Sequence, residues 1–210
     1  MIEKNWMGMM RVNNKIESGG MGNDDTDIEG SRRLVNTFKE HVPPTSFKKI
    51  LNPGAGAGGE TRALIDAGYE VTGLSFGVDN LRLGKEKYNV VLFQADMHDV
   101  PFESGCFDGI FATQTFEHAL SPWMLVIEWR RLLRDGGRVF VDVPSPSEGS
   151  METIWHTNVL YTDQIRSFFM KSGFKEVETG LPDYKHIFEK IPDGEFEKWG
   201  YVRFIIEAFG

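Results

Sequence analysis

Cysteine is nearly absent from this chain: Cys106 is the only one in 210 residues, so no disulfide can close within it and no paired-cysteine metal knuckle exists. Cys106 reads as a small core or turn residue rather than a nucleophile. Long apolar runs are missing as well. Nothing approaches the ~18 residues of a membrane-spanning helix, and the first ten residues carry Glu3, Lys4 and Asn5 where a signal peptide needs an apolar stretch. The expectation is no membrane span and a cytoplasmic location. Basic charge is also short. Lys and Arg number 23 against 31 Asp and Glu, a net charge of −8, which argues against nucleic acid as a partner because a nucleic-acid groove needs clustered cations. Asp25, Asp27, Glu29 and Gly30 imitate the opening of a calcium loop, but Asn36 stands at the twelfth position where a bidentate glutamate belongs. No metal site is assigned from the sequence. There is no internal repeat and no long low-complexity tract.

What is present is ordinary globular composition, 40% hydrophobic and 12% aromatic, in a length that supports one domain with a sizeable core. The most informative stretch is Ile50 to Thr61, ILNPGAGAGGET. A buried-strand run there meets a glycine-dense turn and passes directly into a helix start. Gly54, Gly56, Gly58 and Gly59 allow backbone angles closed to other residues and let a ligand lie against the main chain. The free N–H groups of the following helix then face that ligand. Alone, the same pattern suits a dinucleotide site or simple packing.

Outward from this turn the chain alternates strand and helix, as a doubly wound sheet requires. Strands are expected at Lys49–Asn52, Glu70–Leu74, Val90–Ala95, Phe107–Ala112 and Arg138–Val143. Helices are expected from about Gly59, from Val78 to Lys87, and from the Ser121–Pro122 cap through Trp123, Val126, Trp129, Leu132 and Leu133 until Gly136 and Gly137 end the run. Trp123 and Trp129 read as core. A helix capped by Thr162 packs Ile165, Phe168 and Phe169. Two further strands, Lys175–Thr179 and Tyr201–Phe209, should pair antiparallel across a polar insertion. Residues 1–30, rich in Gly, Asn and Asp from Asn13, read as a flexible segment. Ser31–Val42 reads as a helix that covers the ligand, and residues 31–210 as one domain.

At this point the chain resembles the class I S-adenosylmethionine-dependent methyltransferases, in their small-molecule, type 11-like group. Four segments carry the resemblance over roughly Lys48 to Gly173. They are the glycine turn at Ile50–Gly58; Val71–Gly77 after it; Asp96 to Phe102 followed by Ser104–Asp108; and the run through Glu117, His118, Arg130–Gly137 and Arg138–Pro144. The resemblance implies a Rossmann-like three-layer sandwich with a seven-stranded, mostly parallel sheet and an antiparallel C-terminal strand. It implies S-adenosylmethionine as cofactor and a small-molecule acceptor, and it sets no oligomeric state. It also implies cofactor-binding roles for Asn52, Gly54, Ala55, Gly56, Ser75, Phe76, Asp96, Met97, Gln114 and Thr115. Of these, Gly54 and Gly56 would lie against the amino-acid end and ribose, Asp96 and the Met97 N–H would meet the adenine, and Gln114 and Thr115 would flank the methionine portion.

Two positions depart from the family pattern. Asn52 replaces the usual aspartate at the end of the first strand, keeping an acceptor and losing a charge. Ser75 replaces the usual acid that binds both ribose hydroxyls. A hydrogen bond to a charged group contributes ~1.5–3 kcal/mol against ~0.5–1.5 for a neutral one, so the expected loss is around tenfold in affinity. Asp79 is a possible substitute reaching back from the next helix, and its other reading is a solvated acid at a helix start. An NAD-dependent oxidoreductase would need an acid near Ser75. A catalytically degenerate binder of the same fold remains the alternative to an enzyme.

If the acceptor is a hydroxyl, a base must take its proton, and histidine is suited to that near neutral pH. His118, after the fourth strand, and His156, in the loop WHTNVLYT, are the candidate catalytic residues. Each has a structural reading beside the catalytic one: His118 as a cap or a packing partner of Trp123, His156 as a loop anchor. Trp155, Tyr161 and the insertion Pro182–Lys198 would roof the acceptor pocket or form a surface.

Overall fold

Lys49–Asn52 forms β1, the first strand of a seven-stranded sheet in the computed structural model, which describes residues 28–152, 156–177, 181 and 184–196. Ile50, Leu51 and Asn52 are buried, as a parallel strand covered on both faces requires. The chain continues through α2 (Gly59–Asp66), β2 (Glu70–Ser75), α3 (Val78–Tyr88), β3 (Leu92–Gln94) and β4 (Phe107–Thr113). A 3-10 turn at Phe116–His118 leads to α4 (Pro122–Leu132), β5 (Leu133–Asp142), the short α5 (Glu148–Glu152), α6 (Thr162–Lys171), β6 (Phe174–Glu176), β7 (Lys185–Lys190) and α7 (Asp193–Phe196). Helix α1 (Ile28–His41) precedes them all.

The strand order is β3-β2-β1-β4-β5-β7-β6. The strands β1 to β5 are parallel where they pair, and β7 runs antiparallel to both β5 and β6. This is the expected Rossmann-like sandwich. On one face α4 and α6 bury Trp129, Ile165 and Phe169 with Phe116, Phe174 and Phe188; the Phe169 and Phe188 rings stack at 4.1 Å. On the other, Val35 and Phe38 of α1 and Ala63 and Leu64 of α2 close over Ile50, Phe111 and Phe140. Trp129 is fully buried, as expected, whereas Trp123 is only half-buried and meets Phe168 edge to face at 5.0 Å.

Four sequence expectations change. The helix that was to run to Gly136 ends at Leu132, where Leu133 turns extended (φ −82°, ψ 138°) and begins β5. Between the pairs Phe107↔Leu133 and Gly109↔Arg138 the β5 strand carries extra residues, so Gly136 (φ 69°) sits in a bulge rather than in a helix terminus. The antiparallel partner of β6 is Lys185–Lys190, inside the stretch read as an insertion; the expected strand Tyr201–Phe209 lies outside the described residues. Third, α1 begins at Ile28, within the segment read as flexible, and residues 1–27 lie outside the described set. Lastly, α1 packs on the sheet through Phe38 and contributes no residue to the cleft described below.

Candidate functional site

The cleft opens over the C-terminal ends of β1, β2 and β4, where open parallel sheets bind ligands. Its floor is the turn after β1. Gly54 has φ 70°, and a Cβ built on it would stand 2.5 Å from Thr115 Oγ1. That oxygen is fixed from its own side, donating to the Thr113 carbonyl at 2.9 Å. Gly56 (φ 51°) has no atom within 4 Å of where a Cβ would project, so its backbone is bare toward the cleft.

Asn52 and Ala55 lie beneath this floor and do not line the cleft. Asn52 is fully buried: its Nδ2 donates to the Phe111 carbonyl at 3.0 Å and to Glu60 Oε2 at 3.3 Å, and its Oδ1 accepts from Thr61 Oγ1 at 2.8 Å. The side chain therefore ties β1 to β4 and α2. Glu60, which also accepts from Thr113 Oγ1, has its pKa pushed up to about 7 by burial, with the two hydrogen bonds pulling the other way and the Asp142 charge adding to the rise. An aspartate at position 52 would set a second carboxylate against Glu60, whereas asparagine offers it a donor.

Ser75 and Phe76, at the end of β2, and Asp96 and Met97, beyond β3, make one wall. Ser75 is 3% exposed and accepts a hydrogen bond from Asn80 Nδ2 at 3.3 Å. Asn80 itself lines the cleft, while Asp79, the residue weighed from the sequence, points to solvent. Asp96 Oδ1 accepts from the His98 backbone at 2.9 Å and lies 2.7 Å from His98 Nδ1. Burial opposes ionisation of Asp96, but these bonds from His98 outweigh it and hold the carboxyl below its ordinary range. Neither Asn80 nor His98 was singled out from the sequence. Asn80 sits one helical step inside α3, and His98 looked isolated until the Asp96–Asp99 bridge folded it back.

The opposite wall comes from the segment after β4. Gln114 holds φ 44°, an uncommon conformation for a side chain of its size, with its N–H donating to the Asp142 carbonyl at 2.8 Å. Thr115 and His118 also line the cleft. Behind His118 lies Glu117, 1% exposed, with no hydrogen-bond partner for either carboxylate oxygen among the described residues. Burial pushes its pKa up to about 7, and the charge of Asp142 adds to the rise. His156 is not part of the lining, yet its ring meets that of His118 edge to face at 5.2 Å. The loop bearing it is pinned to the 3-10 turn: Asn158 N donates to the Glu117 carbonyl at 3.0 Å, Thr157 Oγ1 to the Ala119 carbonyl at 2.8 Å, and Asn158 Nδ2 also to Ala119. Of the expected pocket roof, Tyr161 is exposed, Trp155 lies outside the described residues, and the described part of Pro182–Lys198 is largely β7 and α7.

Fold and cleft together define an open α/β sheet with a glycine-floored cleft over the C-terminal ends of its strands. Residues 51–141 match the family model described as methyltransferase domain. The chain is 26% identical over 164 residues to an O-methyltransferase of Penicillium expansum, covering 70% of this chain and 59% of that protein. It is 28% identical over 188 residues to the sarcosine/dimethylglycine N-methyltransferase of Halorhodospira halochloris, covering 80% and 66%. Among solved structures, a protein of Pyrococcus horikoshii superposes with a TM-score of 0.66 at 17% identity, covering 81% of this chain and 93% of that one. The chain is thus similar to methyltransferases, through a domain match that covers just over two fifths of its residues. It spans about three fifths to two thirds of the length of the two curated relatives.

Proposed function

We propose that this protein transfers the methyl group of S-adenosylmethionine to a small-molecule acceptor. The observation that carries the reading is the juxtaposition, around one cleft, of a bare glycine floor, a carboxylate fixed beside His98, and a histidine on the facing wall. When bound, the cofactor supplies an electrophilic methyl group on a sulfonium. The donor set suits it. The Gly54–Gly56 backbone admits close approach of the amino-acid end and ribose, and Ser75 with Asn80 offers neutral partners for the ribose hydroxyls. Asp96, ionised and with Oδ1 engaged by His98, presents Oδ2 to an adenine amino group beside the Met97 N–H. Gln114 and Thr115 flank the methionine portion.

His118 stands on the acceptor side and takes the acceptor's proton, with His156 packed behind it. Positioning supplies the larger share of the rate, up to ~7–11 kcal/mol for a well-aligned pair. The relatives include both an O-methyltransferase and an N-methyltransferase, so the reading names no acceptor atom. The competing reading, a binder without turnover, is favoured by one feature, the missing acid at Ser75. Incubating the protein with methyl-labelled S-adenosylmethionine and a panel of hydroxyl- and amine-bearing metabolites separates the two. Label transfer with matching release of S-adenosylhomocysteine supports the enzyme, and tight cofactor binding without transfer to any acceptor supports the binder.

A further inference from the structure

We propose that Glu117, His118 and His156 form a binding site for a divalent first-row transition ion such as Zn²⁺ or Co²⁺. One ligand atom from each lies within 4.8 Å of the others. Three features point to a ligand rather than to packing. The Glu117 carboxylate is 1% exposed with neither oxygen hydrogen-bonded to a side chain among the described residues, and His118 Nε2 stands 4.0 Å from its Oε1. A buried acid left in that condition is costly, and an ion between the three side chains would satisfy it. His156 Nδ1 is 2.8 Å from the Ser150 carbonyl; a proton there makes Nδ1 the donor and frees Nε2 as a ligand, the outer-shell arrangement that orients metal-bound histidines. Finally, the Thr157 and Asn158 bonds to Glu117 and Ala119 hold the two ligand-bearing segments at fixed spacing.

Two imidazoles and one carboxylate are the donor set of zinc hydrolases and of iron or manganese sites with open positions. Ligands ~2.1 Å from an ion in a tetrahedral site lie ~3.4 Å apart, so pairs now within 4.8 Å need to close by up to ~1.4 Å, which side-chain rotation on the partly exposed loop can supply. Because His118 also lines the cleft, the open positions border the acceptor side. There the ion, with His118 as its ligand, would replace the imidazole as the group that activates an acceptor hydroxyl, by lowering its pKa, a use that rests on the methyl-transfer reading; the binding of the ion does not.

The test is calorimetric titration of the chelator-treated full chain with Zn²⁺, and visible absorption on adding Co²⁺. Wild type should take up one equivalent and show the intense bands of four- or five-coordinate Co²⁺. Glu117→Gln and His156→Ala should each weaken binding by about 100-fold, and His41→Ala, remote from the cluster, should not. Should Glu117→Gln fold poorly, His156→Ala decides alone, since that ring lies on a partly exposed loop. Absence of stoichiometric uptake, or uptake unchanged in His156→Ala, overturns the site. S-adenosylhomocysteine titrated into the metal-free protein reads the methyl-transfer assignment separately.

Discussion

The two ends of the cleft each hold a carboxylate beside a histidine, and they are in opposite condition. Asp96 receives two hydrogen bonds from His98 and is held below the usual carboxylate range. Glu117 receives none from a histidine among the described residues and is pushed up to about 7. Exposure accounts for part of the contrast, since the Asp96 side chain retains 32% of its surface and Glu117 retains 1%. The rest is donors: the His98 backbone and ring both engage Asp96, whereas at Glu117 only its own backbone N–H opposes the rise and the Asp142 charge adds to it. The Asp96 end is thus settled before any ligand arrives, and the Glu117 end is left with an unmet demand. On the proposed function, recognition belongs to the first and chemistry to the second.

Removing the acceptor-end histidine is the strongest way to break this division. His118→Ala should cut turnover by ~10²–10⁴, the usual contribution of a positioned acid or base, while S-adenosylhomocysteine affinity changes little. Stopped assays beside calorimetry would show both. Equal loss of turnover and of affinity would mean that His118 belongs to cofactor recognition, and the two ends would no longer differ in role.

Glu60 sharpens the comparison as a third acid, half-buried beneath the cleft floor and raised to about 7 yet hydrogen-bonded by Thr113 and Asn52. Its folded pKa lies above its unfolded value of 4.5, so its contribution to stability is fully present below pH 4.5 and is lost as the pH rises through 7. Integrated, that loss is about 3 kcal/mol. Urea unfolding of wild type and Glu60→Gln at pH 5 and pH 8 should show wild type losing about that much more than the variant over the interval. Parallel stability curves would show that Glu60 ionises freely and that burial is not the governing influence.

The smallest expected effect concerns the ribose. Ser75→Asp should tighten S-adenosylhomocysteine binding by ~1–2 kcal/mol, because a charged acceptor serves both hydroxyls. Weaker binding would indicate that the Asn80–Ser75 pair already fills the position and that the added carboxylate only displaces it.

Much of the glycine-floored end of the cleft was legible in the sequence. The glycine turn, Ser75, Asp96 and Thr115 follow one another at strand ends, and local patterning sets strand ends. The acceptor end was legible only as isolated histidines, because the loop bearing His156 reaches Glu117 through hydrogen bonds 38 to 40 residues apart in the chain. β7 was missed for a related reason. Its sequence KHIFEK reads as polar, and its charges become acceptable in a strand only through partners on other strands: Lys185 with Asp142, His186 with Glu176, Glu189 with Arg138. The early end of α4 was hidden because Leu133 continues the helical spacing, and pairing of β5 with β4 and β7 overrides that local preference.

The central claim is that this cleft recognises the adenosine of S-adenosylmethionine through Asp96. Calorimetric titration of S-adenosylhomocysteine and of NAD into wild type and Asp96→Ala tests it directly. The account predicts that S-adenosylhomocysteine binds, NAD does not, and Asp96→Ala weakens binding by ~1–3 kcal/mol. Preferential binding of NAD, or an Asp96→Ala variant that binds S-adenosylhomocysteine as wild type does, would contradict it.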